Sequence, residues 1–190
     1  LEHLSEDRRE RIAQETLDVY APLANRLGID WIKGELEDLS FRWLHPDDWS
    51  DLAARVEKTR KQRERFIQEM TRTLTRLMSE NGLAAGVSGR VKRLFSIHEK
   101  MRRQHIEFEQ VYDLLGFRVV CDTVAVCYAT LGVIHSQWTP VPGRFKDHID
   151  IPKQNGYQSL HTTVVGPRGI RMEIQIRTQE MHKIAVEGIA

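Results

Sequence analysis

Cysteine is nearly absent from this chain: Cys121 and Cys127 are the only two thiols in 190 residues, with no C-x-x-C spacing. That count excludes a disulfide framework and a thiolate zinc site, and favours a reducing compartment. Long hydrophobic runs are missing too. The longest, Ala125 to Ile134, falls well short of the roughly 18 residues that a membrane helix needs. No basic-then-apolar leader opens the chain, so the expected location is cytoplasmic. Neither charge sign is in excess, since 28 Lys and Arg against 27 Asp and Glu leave a net +1. Such a balance offers no global attraction for nucleic acid or an anionic membrane, and any basic site must be local. The signatures G-x-x-x-x-G-K-[ST], G-x-G-x-x-G and H-E-x-x-H do not occur, and none of the eight histidines is followed by aspartate. No internal repeat and no low-complexity segment is present.

What remains is an ordinary globular composition, 41% apolar and 29% charged, long enough to bury a core. The first 80 residues read as helical. Ile12, Val19, Tyr20, Leu23 and Leu27 share one face up to Gly28, with Pro22 expected to kink or split the helix. Ile32, Leu36, Leu39 and Trp43 mark a second helix. After His45-Pro46 the stripe Leu52, Val56, Phe66, Met70, Leu74 and Leu77 predicts one long third helix, ended by Asn81-Gly82. Beyond Gly82 strands alternate with helices: a strand over Leu83 to Gly89, a helix from about Lys92 to Gln104, a strand Leu114 to Cys121 and a helix Val124 to Ser136. Two strands follow, Ser159 to Val165 and Arg171 to Arg177, and a last helix begins near Thr178. The fold class is therefore α+β, an N-terminal helical segment followed by a mixed sheet flanked by helices. The start at Leu1 and the end at Ala190 suggest a piece of a longer protein.

Chemistry concentrates at the turn Pro152 to Gly156 and the strand it feeds. Lys153, Asn155 and Tyr157 offer a cation, an amide and a flat ring within five positions, and Ser159 and His161 follow on one strand face. Those types suit a nucleotide: charge for phosphate, hydrogen bonds for a base edge, a ring for stacking. A solvated loop with one exposed tyrosine is the alternative. His148 is the other histidine not easily dismissed. Lys92, Ser96 and Lys100 fall at i, i+4 and i+8, a basic stripe at a helix start that could cradle polyphosphate, or an exposed face with incidental lysines. In the strand over 114–121, Arg118 opposes Leu115, Phe117, Val119 and Cys121. In the last strand Glu173, Gln175 and Arg177 oppose Met172, Ile174 and Ile176. Asp113 with Glu173 could supply a Mg²⁺ ligand and a base, or each could simply pair with an arginine.

At these positions the sequence resembles the RelA/SpoT family of guanosine tetra- and pentaphosphate synthetases. The runs that carry the resemblance are Tyr20 to Gly28, Glu35 to Phe41, Gly89 to Lys92 with Ser96-Ile97 and Lys100-Met101, and Tyr112 to Arg118. The most specific are Pro142-Gly-Arg-Phe-Lys-Asp147, Pro152 to His161 and Glu173-Ile-Gln-Ile-Arg-Thr178. The resemblance implies a nucleotidyltransferase-like synthetase fold and transfer of the β,γ-pyrophosphate of ATP to the 3′-hydroxyl of GDP or GTP. It implies that Arg90 and Arg118 sandwich adenine, and that Lys92, Ser96 and Lys100 hold the ATP phosphates. Asp113 is implied to bind Mg²⁺, and Glu173 to be the general base and a second metal ligand. Tyr157 is implied to stack on guanine beside Asn155 and His161, with Arg144, Lys146 and Lys153 at the acceptor phosphates. Residues 1–44 resemble the end of the family's hydrolase domain, 45–81 a linking helix and 82–190 the synthetase domain. Arg144-x-Lys146-Asp147 resembles the form found in bifunctional synthetase–hydrolases, whose metal-binding His-Asp core is expected before Leu1. Arg93 departs from the family's usual histidine without consequence for the site. For the full-length protein the resemblance implies ribosome association, with no direct nucleic-acid binding expected of this stretch. The competing reading is a catalytically silent guanine-nucleotide-binding domain. Alternation from Asp113 places it opposite Arg118, so a bend at Gly116 is expected.

Overall fold

The computed structural model describes residues 3–108, 111 and 115–188, and the chain divides into two compact units. The first comprises residues 1–59, 93–111 and 185–190, and the second residues 60–92 and 112–184.

In the first unit, α1 (Glu6–Glu15) runs into a π-helical turn, Thr16–Tyr20, before α2 (Ala21–Arg26). Pro22 is the reason. It has no N–H and would clash with a carbonyl four residues back, so the turn widens ahead of it and Pro22 takes the first turn of a new helix. Gly28, at φ +75°, then ends α2 in the left-handed region that glycine adopts without strain. Helix α3 (Asp30–Leu44) buries Gly34, Ser40 and Phe41 rather than the expected Leu39 face, and Leu39 is 46% exposed. Phe41 reaches 0% exposure against rings contributed by Phe95 and His98.

The single long helix expected after Pro46 is two: α4 (Pro46–Lys58) and α5 (Arg60–Glu80), separated at Thr59. No apolar residue stands on the stripe between Val56 and Phe66, and the buried face of α5 begins with Arg63. Helix α5 belongs to the second unit, where Phe66, Met70, Leu74 and Met78 bury one face at four-residue intervals. They pack on strand β1 (Ala85–Val91) and its neighbours. Gly89 permits the approach: a β-carbon there would lie 2.5 Å from Ile67 Cγ2.

Helix α6 (Leu94–Gln104) starts two residues later than expected, so Lys92 lies outside it and the basic stripe keeps only Ser96 and Lys100. Strand β2 (Leu115–Cys121), α7 (Val124–Gln137), and the two-residue strands β3 (Thr139–Pro140) and β4 (Lys146–Asp147) follow. Strands β5 (Leu160–Val165) and β6 (Arg171–Thr178) lead to α8 (Gln179–Glu187). The sheet order is β1-β2-β6-β5-β3, with β4 also on β5, and among the described residues only the β2–β6 pair is parallel. The expected α+β class with a mixed sheet therefore holds. Among the described residues no helix is long and apolar enough to cross a membrane.

Alternation sorts the sheet's two faces. Phe117, Val119, Leu160, Val164, Ile174 and Ile176 turn inward onto α5 and α7, all at 1% exposure or less. Each such side chain is worth about 1.5–3 kcal/mol on burial. The same parity turns Arg90, Arg118, Glu173, Gln175 and His161 to the other face. The β2 register runs unbroken from Leu115 to Cys121 against β1, so the expected bend at Gly116 is not there. Asp113 lies outside the described residues.

Candidate active site

The polar face is built in two cross-strand rows. Arg90, Gly116, Glu173 and Thr163 form one; Ser88, Arg118, Gln175, His161 and Lys146 form the next. Arg90 and Arg118 are thus diagonal neighbours on adjacent strands. The stem of Arg90 passes over Gly116, its Cγ 3.7 Å from where a β-carbon would be, an ordinary contact distance.

Glu173 stands at the centre of the first row. Lys92, just past the end of β1, brings its Nζ to 2.6 Å from Glu173 Oε2, and Gln175 Nε2 donates to Oε1 at 3.3 Å. Burial pushes the carboxyl pKa up, but the charge and hydrogen bond of Lys92 outweigh it, helped by Gln175 and His161. The net shift is downward, so Glu173 is an ionised, half-buried carboxylate at neutral pH.

The second cluster surrounds Tyr157. Gly156, at φ +73°, closes the turn from Lys153, and Asn155 Oδ1 accepts the Tyr157 N–H at 3.2 Å. Asn155 therefore spends its carbonyl oxygen shaping the loop that presents the ring. Tyr157 Oη lies 2.8 Å from His161 Nε2, while Lys153 Nζ lies 4.8 Å from the ring centroid. His148 stands edge-on to both rings. Arg144 and Lys146 are exposed on the run leading into and along β4. Ser96 and Lys100, one turn apart on α6, belong to the first unit.

Burial lowers the His161 pKa to about 4, against the pull of Glu173 and with Lys153, His148 and Arg177 adding to the fall. The unfolded chain then binds a proton near pH 6.5 that the native state refuses. Native stability is whole above that value and declines as pH drops from about 6.5 towards 4, by up to about 3 kcal/mol from this group. His161→Gln is expected to flatten the loss of Tm between pH 7 and pH 5. An unchanged pH slope in the variant would contradict the assignment.

Three residues acquire roles that the sequence reading did not give them. Gln175 bonds to Glu173; alternation marked its face but not its partner. Arg177 brings its Cζ to 5.7 Å from the Tyr157 ring centroid. Asp147 accepts the backbone N–H groups of Ile149 and Asp150 at 2.9 Å and the Tyr128 hydroxyl at 2.8 Å, pinning the loop after β4 to α7. That bond to Asp147 pushes the Tyr128 pKa up to about 12.

Solved structures share this arrangement of sheet and helices. Small alarmone synthetase 1 from Bacillus subtilis matches 65% of this chain and 71% of its own, at 28% identity and a TM-score of 0.55. The same protein bound to its product pppGpp matches 67% and 78%, at 29% identity and a TM-score of 0.52. In class, then, this is an α+β domain of the alarmone-synthetase fold. A family model described as the region found in RelA / SpoT proteins matches residues 89–190, and one described as an HD domain matches residues 1–30. A GTP pyrophosphokinase of Myxococcus xanthus is 55% identical over all 190 residues, which are 25% of that protein. The chain belongs to the RelA/SpoT family, and it spans about a quarter of the length of the curated relatives it matches.

Proposed function

We propose that this chain carries the synthetase site of a bifunctional guanosine tetra- and pentaphosphate synthetase–hydrolase of the cytoplasm. The site moves the β,γ-pyrophosphate of ATP to the 3′-hydroxyl of GDP or GTP. The observation that carries the reading is the ionised Glu173, held by Lys92 on the same sheet face as the Tyr157 ring cluster. Glu173 takes the proton of the 3′-hydroxyl as that oxygen bonds to the β-phosphorus. The bond from the β-phosphorus to the α,β-bridging oxygen breaks, and AMP leaves with that oxygen. Such transfer needs positioning and neutralised charge more than covalent participation by the protein.

Arg90 and Arg118, diagonal on adjacent strands, flank the adenine, and Lys92 meets the donor phosphates. Tyr157 stacks on the acceptor base, with His161 fixing its hydroxyl and Asn155 its loop. Lys153, Lys146 and Arg144 face the acceptor's 5′ phosphates. A structural neighbour bound to its product pppGpp supports a guanine nucleotide as the acceptor. Residues 82–190 form the synthetase domain in this reading, after 1–44 from the hydrolase domain and a linking region over 45–81; the HD-domain match over 1–30 supports the first of these. Ribosome association belongs to the same proposal for the whole protein.

Mg²⁺ suits the donor set. Glu173 offers ionised, hard oxygens. That fits an ion bound through one or two carboxylates and otherwise by water and phosphate oxygens. Glu173 and Asp113 would hold it, and when bound it would neutralise charge developing on the phosphates.

The test is incubation with γ-labelled ATP and GDP, followed by thin-layer chromatography. Label is expected in a guanosine tetraphosphate, and not when 3′-deoxy-GDP replaces GDP. GDP bound tightly with no label transferred would favour the silent nucleotide-binding domain instead.

A further inference from the structure

We infer that Arg177 is a positioning residue for Tyr157: its guanidinium, fixed in β6, holds the ring where an acceptor base stacks. The inference rests on the acceptor reading of Tyr157 given above. Arg177 shares a strand face with Glu173 and Gln175, yet it is only 2% exposed. Burying a guanidinium costs several kcal/mol unless the surroundings satisfy it. A position that only had to fill space would be served by an apolar side chain.

Its Cζ lies 5.7 Å from the Tyr157 ring centroid, within cation–π range. Lys153 also approaches the ring, at 4.8 Å, but from an exposed loop position. A long exposed lysine can swing aside when a base arrives, whereas a buried arginine on a central strand cannot. The third support is the Tyr157 hydroxyl at His161 Nε2, which fixes the far tip of the ring but not its plane. Tyr157 itself sits in a loop that turns at Gly156, so backbone hydrogen bonding alone does not set its χ angles. A planar, delocalised cation is the side chain best suited to hold an aromatic plane. With the ring held beforehand, the acceptor base stacks without first ordering it.

Arg177→Met keeps most of the stem and removes both plane and charge. GDP affinity, measured by calorimetry, is expected to fall about tenfold, part of what a stacked base is worth. ATP affinity should stay within twofold, and the loss of activity should fall on the acceptor KM. The decisive comparison is the same substitution in a Tyr157→Ala background, where the ring it holds is gone. There Arg177→Met is expected to change GDP affinity less than twofold. An equal tenfold loss in both backgrounds, or an equal weakening of ATP, overturns the inference. If Arg177→Met does not fold, Arg177→Lys enters the same cycle with the same expectation of coupling, because it retains charge and volume but not the plane. Calorimetry reads binding without turnover. A chain that binds GDP with this coupling but transfers nothing would therefore refute the transferase reading and leave Arg177 in its place.

Discussion

Glu173→Gln is expected to lower pyrophosphate transfer by roughly 10²–10⁴-fold, the usual loss when a general base is removed. The amide keeps the shape and can still receive the Gln175 hydrogen bond, but it cannot take the proton of a 3′-hydroxyl. Nucleotide binding should survive. Lys92, now 2.6 Å from the Glu173 carboxylate, loses a competitor for the donor phosphates. The ATP Kd is therefore expected to hold or tighten while kcat collapses. Turnover near that of the unsubstituted chain would remove Glu173 from the chemistry. Loss of ATP binding along with kcat, at unchanged Tm, would shift its role from base to holding the donor through the metal.

Lys92→Met should produce the second large effect, and with a different signature. It removes the partner that holds Glu173 ionised and, in the proposed reading, a cation for the donor phosphates as well. Loss of a charge-assisted hydrogen bond to phosphate is worth about ten- to a hundredfold in ATP affinity. The pH dependence follows from the opposing forces on Glu173. Burial raises its pKa and Lys92 more than reverses that, so without Lys92 the pKa climbs. A base is active only when deprotonated, so the acid limb of kcat/KM must move to higher pH. Stability changes with the same sign. A carboxylate whose folded pKa is depressed stabilises the native state above its unfolded value, and that contribution fades as pH falls through the folded pKa. Lys92→Met abolishes it. The profile carried from pH 9 down to about 3.5, below the ordinary carboxylate range, checks this: an acid limb that stays in place would mean that Lys92 and Glu173 do not act as a pair.

Much of this site is visible in the alternation of two strands. Met172, Ile174 and Ile176 against Glu173, Gln175 and Arg177 leave no doubt about which face is dry. A carboxylate amid such a strand calls for a partner or a task. What alternation does not contain is which partner. Lys92 reads as the first residue of a helical stripe with Ser96 and Lys100, because i, i+4 spacing continues unbroken through it. The helix begins only at Leu94, since β1 stays paired with β2 as far as Val91, and Lys92 is left free of helical phase to reach Glu173. Period alone cannot place such a boundary residue. The split at Thr59 escaped for a similar reason: a basic run is compatible with helix and says nothing of where packing ceases.

Tyr157 and His161 read as neighbours in a promising loop, yet their 2.8 Å contact depends on the turn that Gly156 makes and on the first residues of β5. Arg177 gave still less warning. A cation on a polar strand face is ordinary, and only its burial and the ring beside it mark it out. Local pattern assigns faces; contacts between loop and sheet come from the tertiary fold.

In the proposed reaction this face joins a pyrophosphate from ATP to the 3′-oxygen of a guanine nucleotide. Phosphorus NMR of ATP and GDP mixed with the chain and Mg²⁺ tests it most directly, because it reads where the phosphates go. AMP and a guanosine bearing diphosphates at both the 5′ and 3′ positions are expected to appear in equal amounts. Formation of ADP and GTP would contradict it, since that outcome places the attack at the γ-phosphorus by the 5′-diphosphate and leaves the 3′-hydroxyl untouched.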